Sequence, residues 1–418
     1  MINIINDSYH EKGAPYVWLI ALILFLTPIS IVIGDDGVSV NYTFAILLFI
    51  APWGYRSSIT GMGYCSVLAL SYPVGMLIFS QGSESFLTRQ FISFIVALLP
   101  VLILFIKLNI SIRTISIAVI LTSLLYSLWV IWAVCTHDFS LADVYFIKGG
   151  LREYVSDWPQ RYVSILILGF FLSINFVKQS YIYVVSAIIL FGVIFLTFTR
   201  AAYLALIVGA LGYFISSCYF YPKIFFKKSR LVENILRKLP YFFLLSIIII
   251  CLANEDIQKA ITLIFNATIN NVGEALTGNL DKESSAGERF NIWEKAFGFV
   301  LEKNPLLGTG LAGLGLFNVG AGSAHSQYMD IFIRTGILGL IAYLVIFFIF
   351  LSRAFRVYPP LFAWLISLSI FGFFHETTKL SYVAFAYFIF FNLVSERLSL
   401  KSRPLAENIL LKKKGTVL

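Results

Sequence analysis

One histidine, followed at a fixed spacing by two glycines, is where this chain could take up a proton. In Ala324-His325-Ser326-Gln327-Tyr328-Met329-Asp330-Ile331-Phe332-Ile333-Arg334-Thr335-Gly336-Ile337-Leu338-Gly339, a polar, glycine-rich segment runs directly into an apolar helix. The pattern predicts a helix start near Ser323, a residue type that caps well. The capping box stays incomplete, because Ser326 stands where Glu or Gln belongs. On that reading His325 lies in the first turn, at the positive end of the helix dipole. That position disfavours the imidazolium and favours a neutral ring able to accept a proton. Gly336 and Gly339 would let a neighbouring helix approach closely. The plainer reading of the same residues is an interfacial histidine followed by a packing Gly-x-x-Gly.

A neutral histidine needs partners that handle charge, and arginines at the ends of apolar runs are the candidates. Arg161 opens one such run. Arg200, in Thr199-Arg200-Ala201-Ala202-Tyr203-Leu204, lies between two runs with almost no loop. Arg289, in Gly287-Glu288-Arg289-Phe290-Asn291-Ile292-Trp293, opens a helix on which its neighbours at i−4 and i+4 are Ser285 and Trp293, neither a carboxylate. The plainer readings are a snorkelling anchor for Arg200 and a solvent-screened helix charge for Arg289. Arg334 follows Asp330 by four residues and is expected to pair with it. Its spacing from His325 puts it on the opposite helix face. His137-Asp138 and His375-Glu376 read as structural, because nothing else in the sequence converges on them.

Guanidinium forks bind phosphate oxygens, and a neutral imidazole can deprotonate a hydroxyl. Together they suit a reaction in which a hydroxyl displaces a lipid-linked diphosphate, with the arginines stabilising the charge of the leaving group. No Asp-x-Asp or metal-ligand cluster is visible in the sequence, so neither a metal nor any other cofactor is expected.

These residues have to be positioned by membrane helices. Of the 418 residues 59% are hydrophobic and 13% charged, with a mean hydropathy of +0.86. Apolar runs of 17 or more residues recur, so the chain is expected to be an all-α polytopic membrane protein. About twelve spans are expected, near 15–33, 42–55, 61–80, 91–107, 114–135, 161–177, 180–199, 201–219, 241–253, 336–352, 359–374 and 381–396. The first reads as a retained helix without a cleavage site. Cys65, Cys135, Cys218 and Cys251 lie in or beside apolar runs with no Cys-x-x-Cys, which argues against a disulfide framework or a zinc site. No Asp or Glu falls in the middle of a span, which counts against an ion-coupled carrier.

Charge sets the orientation. With the N-terminus inside, the inner segments hold 19 of the 31 Lys and Arg but only five of the 22 Asp and Glu, a net +14 inside against −5 outside. That bias puts both termini in the cytoplasm. It makes the basic run Lys223–Lys238 a topology determinant facing anionic lipid, with no nucleic-acid partner expected. The organisation expected is nine helices in 1–253 with a smaller outer loop at 136–160, a large outer loop at 254–335, three helices in 336–396 and a basic tail at 397–418. The large loop should carry a helix from Ser285 or Gly287 to Leu301, with Phe290, Trp293, Phe297 and Leu301 on one face and a stop at Asn304-Pro305. The following Leu306-Leu307-Gly308-Thr309-Gly310 lacks the Gly-Lys-Ser/Thr of a Walker A loop and reads as a pliable connector at the membrane surface, ahead of a phosphate cradle.

Two motifs then point to a family. Arg200-Ala201-Ala202-Tyr203-Leu204 resembles the R-x3-L motif, and His325-Ser326 with Gly336 and Gly339 resembles the H-[NSQ]-x9-G-x2-G motif, of bacterial O-antigen ligases. The run Arg289…Trp293…Asn304-Pro305-Leu306-Leu307-Gly308-Thr309-Gly310 is similar to that family's large periplasmic loop. The resemblance is best over about 195–345. It implies a GT-C-like, metal-independent, inverting membrane glycosyltransferase of the bacterial inner membrane, with its site on the periplasmic face. The implied donor is a glycan on undecaprenyl diphosphate and the implied acceptor lipid A–core, in lipopolysaccharide assembly. Arg200, Arg289 and His325 fall on its functional positions, with Arg161 a weaker further contact to substrate. A repeat-unit polymerase of O-antigen or capsule would share these features, and a lipid-linked glycan flippase or carrier is the alternative of another class. The chain is short for the protein-glycosylating branch of the superfamily.

Overall fold

The computed structural model describes residues 30–33, 38–41, 111–136, 162–177, 179–197, 199–220, 285–310, 313, 324–375, 383 and 386–395. Its helices are α1 (Ile112–Thr136), α2 (Val163–Phe176), α3 (Ile182–Leu196), α4 (Arg200–Phe220), α5 (Ser285–Lys303), α6 (Gln327–Val357), α7 (Pro359–Phe371) and α8 (Ala386–Ser395). Three of them, α1, α4 and α6, contain stretches long and apolar enough to cross a membrane, and α2, α3, α7 and α8 are shorter apolar helices. The predicted spans at 114–135, 161–177, 180–199, 201–219, 359–374 and 381–396 thus correspond to helices. Those at 42–55, 61–80, 91–107 and 241–253, the loop 136–160 beyond Thr136 and the tail 397–418 lie outside the described residues.

One departure from an all-helical chain occurs among them. The end of the predicted first span, Ser30–Ile33 (β1), pairs antiparallel with Val38–Asn41 (β2), Ser30 opposite Asn41 and Ile33 opposite Val38. The β-branched run Ile31-Val32-Ile33 and the valines of Val38-Ser39-Val40 favour strand, and the connecting Gly34-Asp35-Asp36-Gly37 is made of turn-forming residue types. Hydropathy alone assigned the first of these runs to a helix.

The core forms around α2 and α7, which are buried almost all round, as central helices are. Trp364, Tyr126, Phe171, Phe350, Phe371 and Phe390 are among its largest enclosed side chains. Polar groups inside it are tied across helices: Trp364 Nε1 donates to the Ser164 carbonyl at 2.8 Å, Ser367 Oγ to Ala205 at 2.8 Å and Ser123 Oγ to Ile165 at 3.0 Å. Such bonds fix helix pairs where apolar packing against lipid provides little preference. α3, α4 and α6 keep apolar outer faces, with Val185, Leu211, Phe214, Ile341 and Phe348 exposed. At the far end of α6, Arg353 Nη1 donates to Ser395 Oγ at 2.9 Å and lies 5.3 Å from the Phe391 ring, fastening α8.

Candidate functional site

α6 starts three residues later than its sequence suggests, and that moves the histidine. Ser326, with extended φ −147° and ψ 128°, is the N-cap, and its hydroxyl accepts from the Met329 amide at 3.5 Å. His325 therefore precedes the helix and does not lie in its first turn. The dipole argument weakens accordingly, because two amides at the helix start already have partners: Met329 has Ser326, and Gln327 donates to the Gly372 carbonyl at 2.7 Å.

The histidine is held in an uncommon conformation. Its φ of 50° lies in the left-handed region, and it is the sole non-glycine there among the described residues. Histidine is several-fold enriched there, but a bulky side chain still incurs strain. Contacts on both sides impose it. Ahead, the Trp293 indole Nε1 donates to the buried Ala324 carbonyl at 2.7 Å. Behind, Gln327 is bonded to Gly372, and the Tyr328 hydroxyl donates to Ser369 at 2.9 Å, so α6 begins fastened to the end of α7. The His325 side chain itself is exposed. A fixed backbone presenting an accessible imidazole suits proton transfer with a bound hydroxyl.

Trp293 belongs to α5, which packs on the start of α6. Its buried residues are Ile292, Ala296 and Val300, against Ala324, Phe332 and Ile333. Of the face expected from helical spacing, Trp293 is part of the contact, while Phe297 and Leu301 are 46% and 49% exposed. Phe297 still stacks on Phe332 with centroids 5.2 Å apart. Arg289 stands one helical turn before Trp293, on the same side of α5, and is half-buried. Arg289 thus stands one turn along α5 from the residue whose indole bonds the carbonyl preceding His325. Arg200 is the first residue of α4, four residues after α3 ends at Leu196, as the tight hairpin predicted. The Tyr203 hydroxyl closes that hairpin by donating to Phe195 at 2.6 Å. Of Arg200 the backbone alone is described; Arg161, His137 and Glu376 lie outside the described residues.

The glycines of the motif do something other than pack a helix. At Gly336 α6 breaks, with φ 63° and ψ −164°, a conformation open essentially to glycine. The break exchanges partners. Ile333 would accept from Ile337 in a continuous helix; its carbonyl accepts instead from Thr309 N–H at 2.8 Å and Thr309 Oγ1 at 2.9 Å. The Ile337 amide turns to the Pro305 carbonyl at 2.9 Å and Leu338 to Leu306 at 3.4 Å. The loop after α5 is therefore a wedge docked in the break, and the pliable connector expected from the sequence is corrected. A side chain at Gly336 would collide with the Leu306 carbonyl. Gly339 lies under the Thr335 side chain of its own helix, so among the described residues the nearest neighbours of the two glycines are a loop and their own helix.

Beneath the wedge Arg334 pairs with Asp330, Nε to Oδ1 at 3.0 Å, both side chains 6% exposed, which bears out the i,i+4 expectation. The guanidinium also lies against the backbone of Gly313, where an added Cβ would be 2.7 Å from Arg334 Cζ. The pair thus holds glycine-rich chain onto α6. What the sequence did not reveal is the turn Gly372–Phe374, which fastens Gln327 and leads to His375, whose ring lies 4.4 Å from Phe371. Among the described residues no group of three His, Cys, Asp or Glu side chains converges as a metal site would.

Helices with lipid-suited outer faces, and an exposed histidine fixed at the start of one of them, define a helical membrane protein with its candidate site at a helix end. Residues 185–344 match the family model described as O-antigen ligase, which supports the O-antigen ligase family for this chain. The matched stretch runs from α3 into α6 and includes Arg200, Arg289, His325 and both motif glycines. It supports a function of the O-antigen ligase or polymerase type, a glycosyltransferase-like activity on lipid-linked glycan and a lipid acceptor. No curated protein matches the chain in sequence.

Proposed function

We propose that the chain is an O-antigen ligase, transferring polymeric glycan from undecaprenyl diphosphate to lipid A–core at the periplasmic face of the inner membrane. The observation that carries this reading is the exposed His325, fixed from both sides by Trp293 and Gly372 within the stretch that matches the family. His325 takes the proton of the acceptor hydroxyl. The hydroxyl oxygen attacks the anomeric carbon, the bond from that carbon to the diphosphate oxygen breaks, and undecaprenyl diphosphate leaves. One such displacement inverts the anomeric centre. Arg200 and Arg289 bind the diphosphate and stabilise its charge as it departs, with Arg161 a weaker third contact. No metal is required in this scheme. The architecture we assign is twelve spans with both termini cytoplasmic.

A lipopolysaccharide gel of a deletion strain tests the reading. A missing ligase leaves bare core, with long polymer still extractable on the lipid carrier. A band of core plus one repeat would identify a polymerase instead, since an active ligase would still attach single repeats. Purified protein that moves glycan between lipids in detergent excludes a flippase or carrier.

A further inference from the structure

The tip of the wedge is apolar, uncovered and fixed in place. Leu306 and Leu307 are 55% and 44% exposed. The loop cannot fold them away, because Leu307 N–H donates to Asn304 Oδ1 at 3.1 Å, Gly308 N–H to the Asn304 carbonyl at 2.8 Å, and Thr309 is bonded twice to Ile333.

What lies beside the tip says what covers it. The Pro305 and Leu306 carbonyls accept from Ile337 and Leu338, the first residues of α6 after its break. Those two side chains are themselves exposed and open the outward row that continues through Ile341, Val345 and Phe348 along a membrane-spanning helix. From Ile337 to Ser352, ahead of Arg353 and Arg356, the helix rises about 24 Å at about 1.5 Å per residue, most of a hydrocarbon core of about 30 Å, and the two arginines can reach the interface beyond it. The buried Asp330–Arg334 pair stands just ahead of the break, on the side away from that core. Gly336 therefore marks where the span leaves the hydrocarbon, and backbone bonded to Ile337 and Leu338 shares their depth.

We propose that Pro305-Leu306-Leu307 is inserted in the bilayer at the edge of its hydrocarbon layer, with lipid covering the two leucines. The loop then anchors α5, and with it Arg289 and Trp293, to the membrane surface independently of the spans. The inference rests on the loop and helix geometry and stands whether or not the chain is a ligase.

A nitroxide on Leu307→Cys, in the full chain with its four native cysteines replaced by alanine and reconstituted in phosphatidylethanolamine–phosphatidylglycerol vesicles, reads the depth of the tip. Labels at Ile341→Cys and Glu302→Cys give the lipid and water references. Collisions with oxygen should dominate at position 307 as at 341, and collisions with a water-soluble nickel chelate should dominate at 302. A position 307 as accessible to nickel as 302 overturns the proposal by placing the tip in water. Exclusion of both reagents overturns it too, by showing that protein, from this chain or a second copy, covers the tip. Leu306→Cys supplies the same reading should a label at 307 disturb the loop.

Discussion

The Trp293 indole reaches past the end of its own helix contact to the carbonyl next to His325. Trp293→Phe keeps an aromatic ring in the contact but removes the indole hydrogen bond to the Ala324 carbonyl, a loss of about 0.5–1.5 kcal/mol. If His325 is the base, the Trp293→Phe variant should fold, bind donor with an unchanged KM and turn over about tenfold more slowly, as about 1.4 kcal/mol of lost positioning predicts. An unchanged kcat would leave the indole a packing residue. His325→Ala should lower transfer by about 10²- to 10⁴-fold, the range general bases contribute. Arg200→Ala and Arg289→Ala should abolish product while the protein still inserts, and Lys at either position should restore only part, because a point charge lacks the bidentate fork. Near-normal product from both alanine variants would return these arginines to an anchoring role. Arg334 acts differently. Its pairing with Asp330 is buried, so Arg334→Ala removes the arginine from a buried carboxylate and should cost up to about 3–5 kcal/mol of stability, with part of it recovered when Asp330→Ala is added; thermal unfolding in detergent measures both.

The broken helix and its wedge are one unit. Gly336→Ala forces a side chain into a backbone conformation that costs about 1–3 kcal/mol for non-glycine residues, and into the Leu306 carbonyl besides. It should destabilise the protein more than Thr309→Val, which removes one hydroxyl bond of about 1 kcal/mol and keeps the backbone bond to Ile333. Apparent Tm values that rank the other way would show that the wedge contributes little. Periodicity was enough to locate α5 and α6, and the Asp330–Arg334 pair followed from spacing alone. The break was not legible, because a glycine in an apolar helix reads equally as a packing site, and its cause is a loop some thirty residues earlier in the chain. Which residues of α5 are most enclosed was likewise not legible from spacing. Large side chains at Phe290, Trp293, Phe297 and Leu301 dominate the sequence pattern, whereas Ala296 is fully enclosed in the contact with Phe332 and Ile333. The His325 conformation could not be read at all, since it depends on Trp293 and Gly372, residues remote in sequence.

For the molecule as a whole, the asymmetry of Lys and Arg predicts which side the site faces. A phosphatase reporter fused after Asp281 should be active and one after Arg230 inactive; the reverse pattern would put Arg289 and His325 in the cytoplasm and end the functional reading. The fold also bears on how the chain is made. A membrane segment usually meets its backbone needs from its own residues before it meets its neighbours. Residues 327–357 do not do so in the finished protein, since the amides of Ile337 and Leu338 are served by Pro305 and Leu306. When this segment first enters lipid without the loop in place, the only carbonyls within reach are those of its preceding turn. A peptide of residues 327–357 alone in micelles should accordingly be an uninterrupted helix, with amide exchange at Ile337 and Leu338 as slow as at their neighbours. The bend should appear in spectra only when residues 285–310 precede it. The shape of the segment that follows His325 would then be a property conferred on it by another part of the chain, acquired late and reversible wherever the loop lets go.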